Sequence, residues 1–221
     1  MRFDMQWFLN LFPLVLPYLH LTLVISFVSL VLTIVLSSII AVVRYYEVPL
    51  LKDVSSGFVT VFRATPLVAQ LFILYFGLPS VFPVLQHMSA LQATIIALTL
   101  NTSAFMSENF RAALDAVEKG QLEACYSMGM TKMQTMIRTI IPQAFIIAVP
   151  SIGNHFIGII KGSALGFTVG LMDIMAAAKV EAALSLRFFE AYLCVTLIYL
   201  VLVITMEKLQ KLIEKKIKIS F

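Results

Sequence analysis

Residues able to do chemistry fall in three groups along this chain of 221 residues. Asn101, Thr102 and Ser103 stand together in the apolar stretch LQATIIALTLNTSAFM, and Pro150, Gly153, Asn154 and His155 interrupt QAFIIAVPSIGNHFIGII. Polar side chains within such runs face protein or a water-filled path instead of lipid, so both groups are candidate walls of a solute pathway. Pro150 frees a backbone carbonyl, and with the Asn154 amide beside it a zwitterion could be bonded there. A static kink, with Asn154 held across a helix interface, accounts for the same residues. Lys161, at the end of that run and followed by Ser163, can neutralise a carboxylate or snorkel to the surface. In the third group Glu123 offers a charge to a basic partner, and Ala124, Tyr126 and Met128 offer apolar contact.

Catalytic sets are absent from the sequence. It has no GxxxxGK[ST] phosphate loop, no HExxH and no GxSxG. His20, His87 and His155 are too dispersed for an evident metal site, and Cys125 and Cys194 stand alone in separate segments. The expectation is therefore a chain with no catalytic residue, no metal and no bound cofactor. If it drives transport, energy comes from a separate subunit or from an ion gradient, for which the lone Glu190 is the best-placed ionisable group. A membrane scaffold that binds a soluble partner is the remaining reading.

The elements that must position these groups are membrane helices. Hydrophobic residues make up 60% of the sequence and charged residues 13%, with a mean hydropathy of +0.96, against about 45–50% and 25% in soluble domains. Five spans are predicted, within residues 16–43, 57–77, 88–110, 143–160 and 188–206, each near the length that crosses a hydrocarbon core of about 30 Å. MRFDMQWFLNLFP, ahead of the first, reads as an interfacial segment, and 161–186 as short external or re-entrant helices. Between spans three and four, residues 112–142 are too polar to cross and too periodic for a linker; Gly120 and Gly129 are expected to divide them into short helices. The proline in the fourth span predicts a broken helix there.

Charge orients the chain. With the N-terminus outside, Arg44, Lys52, Arg63, Arg111, Lys119, Lys132, Arg138, Lys208, Lys211, Lys215, Lys216 and Lys218 fall on the cytoplasmic side, 12 of the 16 basic residues. Arg2, Lys161, Lys179 and Arg187 fall on the other, which obeys the positive-inside rule. The formal net charge of +4 thus marks topology, not a nucleic-acid surface. Five helices enclose little interior for a polar solute, which predicts two copies, or one copy with a homologue, around a shared pathway.

EACYSMG at 123–129, followed by IIP ending at Pro142, resembles the EAA loop of ABC importer permeases, with Cys125, Thr139 and Ile141 as mild departures from EAAxxxG and IxLP. FRATPLVAQLFILYFGLP (62–79), the stretch from Glu108 and Arg111 through GQLEA (120–124), PQAFIIAVPSIGN (142–154) and KGSAL (161–165) are similar to the polar amino-acid branch of that family. The resemblance covers nearly the whole chain. It implies an all-α membrane protein of the type I ABC importer permease class, a single domain over 1–221 in the bacterial cytoplasmic membrane. Within the 112–142 loop it implies a cytoplasmic coupling helix, with Gly120, Glu123, Ala124, Gly129 and Pro142 engaging an ATP-binding subunit. Two such subunits would carry the ATP and magnesium, a second permease copy would complete the path, and an extracytoplasmic binding protein would deliver an amino acid. Relatives often have KDTSL where this chain has Lys161, Gly162, Ser163, Ala164 and Leu165. The missing acid favours a zwitterionic substrate, and the wording of the motifs is most like that of L-cystine permeases.

Overall fold

The computed structural model describes residues 3–219, and every regular element among them is helical. Arg2 and the side chain of Lys218, both part of the charge split, lie outside the described residues. Helix α1 (Met5–Val15) starts at Asp4, whose carboxylate accepts from the Trp7 N–H at 2.9 Å, and runs through a 3₁₀ turn at Leu16–Tyr18 into α2 (Leu19–Tyr45). The N-terminal segment is thus an extension of the first span. Its Phe8, Leu11 and Val15 are buried against Ile174, Ala178 and Cys194 of two later helices.

Among the described residues four helical stretches are long and apolar enough to cross a membrane: Met5–Tyr45, Ala90–Asp115, Lys132–Val169 and Phe188–Ile217. A fifth crossing exists only if the pair α3 (Leu51–Ala64) and α4 (Leu67–Phe72) with its continuation to Val81 is counted as one, and that pair is bent by 109°. The single helix expected over 57–77 is therefore broken. Pro66 supplies no N–H and crowds the residue before it, so Thr65 turns extended at φ −117°, ψ 146°. After the break α4 passes through a π-helical turn (Ile73–Gly77) into α5 (Leu78–Val81).

Helix α6 (Ala90–Asp115) opens with a capping box between Ser89 and Gln92. Helices α7 (Lys119–Ser127) and α8 (Lys132–Thr135) follow, and a π-helical turn (Met136–Ile140) leads into α9 (Ile141–Ser163). Contrary to expectation, α9 continues through Pro150 without a break, and Gly120 lies within α7 instead of ending a helix. Gly129 does turn the chain, at φ +76°, a conformation glycine adopts without a Cβ penalty. A 3₁₀ segment (Ala164–Val169) leads to α10 (Ile174–Ser185), and α11 (Phe188–Ile219) closes the bundle.

The core is built the way lipid requires. Lipid tails are as apolar as leucine, so helix contact depends on close packing and polar side chains. On α2, Thr22, Ser26, Ser29, Thr33 and Ser37 recur at helical spacing and are wholly buried, while Phe27, Val31, Val35 and Ile39 on other faces are exposed. This small-residue stripe lets α2 lie along α6 and α9, which pack on each other as well.

Candidate functional site

The helix break carries the first polar group. Pro66 deprives the Phe62 carbonyl of its usual helical donor, and in an apolar setting an orphaned carbonyl costs about 1–3 kcal/mol. Two amides replace the donor: Gln70 Nε2 donates to Phe62 O at 3.0 Å and Asn101 Nδ2 donates to it at 3.2 Å. Asn101 also donates to Gln70 Oε1 at 3.0 Å, and Gln70 reaches Thr65 Oγ1 at 2.7 Å. Helices α3 and α4, on the two sides of the break, and the sequence-distant α6 thus meet in one amide network beside an interrupted backbone. Gly162 adjoins it: a Cβ there would meet Leu98 Cδ2 at 3.0 Å and Leu67 Cδ2 at 3.5 Å. The wall at that point is apolar and fitted to glycine.

A second polar group lies between α6 and α9. An open cleft of about 620 Å³ is lined by Asn109, Pro150, Ser151, Asn154 and His155, with Ala112, Ala113, Ile147 and Ala148. Asn109 Nδ2 donates to Ser151 Oγ and lies 2.9 Å from His155 Nε2. From α11, Gln210 donates to the Pro150 carbonyl at 3.1 Å and to Asn154 Oδ1 at 3.4 Å. Gln210 packs so tightly that a Cβ on Gly153 would fall 2.3 Å from its side chain. Asn154 is therefore held across a helix interface, as the bland reading of that residue anticipated.

On the side where α2 ends, Glu108 of α6 sits among three arginines. It pairs with Arg44 of α2, with Arg63 of α3 at 3.8 Å and with Arg111 one turn away at 3.4 Å. Only the Arg111 partner follows from helical spacing, three residues on; the other two come from separate helices. Beyond this junction α7 presents Glu123, Ala124 and Tyr126, with Met128 just past its end, to the exterior. Its inner side is Cys125, whose thiol meets Thr139 Oγ1 at 3.4 Å.

The remaining predicted residues fall as follows. Gly120 is exposed in the first turn of α7, and Pro142 occupies the first turn of α9. Thr102 is half-buried, whereas Ser103 is fully buried and donates to the Leu100 carbonyl of its own helix. Ser163 is buried and bonds Ile160 O at 2.8 Å, while Lys161 is exposed. Asn101 and the Pro150–Asn154 segment, expected as opposite walls of one path, belong to separate hydrogen-bond groups among the described residues. Sequence reasoning missed Thr65, Pro66, Gln70, Asn109 and Gln210. The signal for the first three was Pro66 in the middle of an expected span.

Residues 33–219 match the family model described as a binding-protein-dependent transport system inner membrane component. The chain is 42% identical to the probable amino-acid ABC transporter permease protein PatM of Vibrio harveyi, over 100% of this chain and 99% of that protein. It is 41% identical to the probable amino-acid permease protein YxeN of Bacillus subtilis, over 96% and 95%. With the L-cystine transport system permease protein TcyL of Bacillus subtilis it shares 31% identity over 98% and 92%. Among solved structures it resembles the crystal structure of an amino acid ABC transporter with histidines, at 33% identity and a TM-score of 0.89, covering 98% of this chain and 100% of that one. An inward-facing MetNI methionine ABC transporter structure shares the fold at 23% identity and a TM-score of 0.78, over 98% and 99%. Matched over most of its length by the family model, and packed as these helices are, the chain belongs to the inner membrane components of binding-protein-dependent transport systems, with the type I ABC importer permease fold.

Proposed function

We propose that the chain moves a zwitterionic amino acid inward, L-cystine first among the candidates, and that the amide network at the α3–α4 break is where the substrate meets the protein. The chain is the non-catalytic permease component, and ATPase activity lies in a separate subunit. The observation that carries the reading is the interrupted backbone at Thr65 and Pro66, lined by Gln70 and Asn101. Interrupted membrane helices bring backbone and amide groups to membrane depth, and the Gln70 and Asn101 amides that hold the Phe62 carbonyl here are of the kind that can bond a carboxylate or an ammonium group. The uncharged wall at Gly162, Leu67 and Leu98 favours a side chain without net charge over a cationic one. Kinship extends to a cystine permease, a probable glutamine permease and an arginine permease alike, so the choice rests on the wall, with glutamine as the alternative zwitterion.

In this reading two copies of the chain face each other, and Pro150, Asn154 and the α6–α9 cleft line the path toward the seam. Helix α7 is the coupling element: Gly120, Glu123 and Ala124 contact one of two ATP-binding subunits, and Gly129 and Pro142 set the turn and the start of α9 behind it. ATP and magnesium belong to those subunits, and a binding protein delivers the amino acid on the outer side, where the N-terminus lies. The test is ATP hydrolysis in proteoliposomes holding this chain, its co-purifying ATPase and the matching binding protein, with cystine, glutamine, arginine and histidine in turn. Stimulation by cystine alone supports the assignment. Stimulation by arginine alone removes the zwitterion argument, and silence with every ligand in an assembled complex removes the importer reading.

A further inference from the structure

A second polar cluster lies away from the break and from the α6–α9 cleft, where the start of α10 meets α2, α9 and α11. Asp173 is completely buried at the N-cap of α10. Its Oδ1 accepts from the Ala176 N–H at 2.9 Å, but its Oδ2 is buried with no hydrogen-bond partner among the described residues. Thr22 Oγ1 of α2 and the Tyr199 hydroxyl of α11 are likewise buried and unpartnered. The Tyr199 hydroxyl faces the Asp173 carboxyl and the hydroxyls of Thr22 and Ser163. Ser163 gives its own hydrogen to Ile160 O, which leaves its oxygen free to accept. An orphaned carboxyl oxygen with two orphaned hydroxyls beside it is too costly to stand as an accident, since buried polar groups are almost always paired.

We propose that Asp173, Thr22, Ser163 and Tyr199 form a buried proton-binding site, in which Asp173 is the group that gains and loses the proton. An ionised carboxylate at full burial needs a cation, a helix N-terminus or donors on both oxygens. Here the α10 N-terminus serves Oδ1 only. The charged groups of the surrounding helices turn elsewhere: Lys161 of α9 and His20 of α2 are exposed, Lys179 of α10 stands over the Phe167 ring, and Asp4 and Glu190 share Arg187. Among the described residues no charged side chain is hydrogen-bonded or ion-paired to the carboxyl, and the Tyr199 hydroxyl faces it. A proton on Oδ2 removes the buried charge and turns that oxygen into a donor toward the neighbouring hydroxyl oxygens. Asp173 lies outside the membrane-spanning stretches. Burial pushes its carboxyl up from the ordinary 3.8 to about 6, against the backbone N–H groups of Ala176 and Met175, which pull it down.

The sign follows from that direction. A carboxyl whose value is raised on folding stabilises the folded chain below its unfolded value, and this contribution is lost as pH rises through the folded value. The test uses the full-length chain with its co-purifying ATPase, at pH 5 and pH 7.5. The wild type is expected to lose about 3–5 °C in Tm between the two, beyond any loss seen in Asp173→Asn. Asparagine caps a helix as well as aspartate does, so this variant mimics the protonated state and keeps the cap. In infrared difference spectra a protonated carboxyl band at pH 5 is expected in the wild type and not in Asp173→Asn. As a second variant, Tyr199→Phe removes a hydroxyl that can donate to the carboxylate, so the midpoint moves to higher pH. Parallel Tm profiles for wild type and Asp173→Asn, no band difference, or an unmoved midpoint in Tyr199→Phe would each overturn the site.

Discussion

At the scale of single residues, Asn101 shows how one side chain can be read correctly for its setting and still be misassigned to its partners. Its position in an apolar run marked it as facing protein, and it does: it donates to Phe62 O and to Gln70 Oε1. Its neighbour Ser103 instead donates to the Leu100 carbonyl of its own helix. Asn101→Ala leaves Phe62 O with Gln70 alone and Gln70 Oε1 without its donor. A stability loss of about 1–3 kcal/mol is expected, measured by thermal unfolding. Amino-acid uptake by the assembled transporter should fall by at least about tenfold if the amide network also orients the substrate, since that is about 1.4 kcal/mol in the transition state. A variant with wild-type uptake would place the substrate elsewhere.

At the scale of elements, the two prolines Pro66 and Pro150 behave in opposite ways. Both occur in spans, and both free a carbonyl four residues upstream. At Pro66 the chain turns by 109°, because Gln70 and Asn101 satisfy the freed carbonyl and Thr65 is left extended. At Pro150 the helix carries on, and the proline's own carbonyl accepts from Gln210. Pro66→Ala restores an N–H that can bond Phe62 O directly, so α3 and α4 can join as one helix. The expected result is a Tm equal to or above that of the wild type together with uptake lowered at least about tenfold, the pattern of a site that stores strain for function. Retained uptake would show that the break is not required. The Glu108 junction belongs to the same scale: it ties α2, α3 and α6 at one level of the bundle, and its two interhelical partners were invisible to helical spacing.

For the whole molecule, composition alone dictates the membrane, because 60% hydrophobic residues with 13% charged leave no soluble fold that could hide them. The α6–α9 cleft is open, so one copy does not enclose it. A homodimer is the expected assembly. Single cysteines at Ala112 or Ile147, which line the cleft, should cross-link between copies in the assembled transporter, and recovery of a different permease chain as the sole partner would refute this. Helical spans, a polar loop between two of them that carries Glu123, and the polar positions inside apolar runs were all legible in the chain, since each depends on local periodicity and on transfer of side chains from water. Which proline breaks a helix, which amides meet at the break, and where Asp173 is buried depended on tertiary packing. Phe62 and Asn101 are 39 positions apart, and Asp173 faces Tyr199 from another helix. A buried polar group takes whichever donor the neighbouring helix brings, and helix spacing along one sequence carries no record of that neighbour.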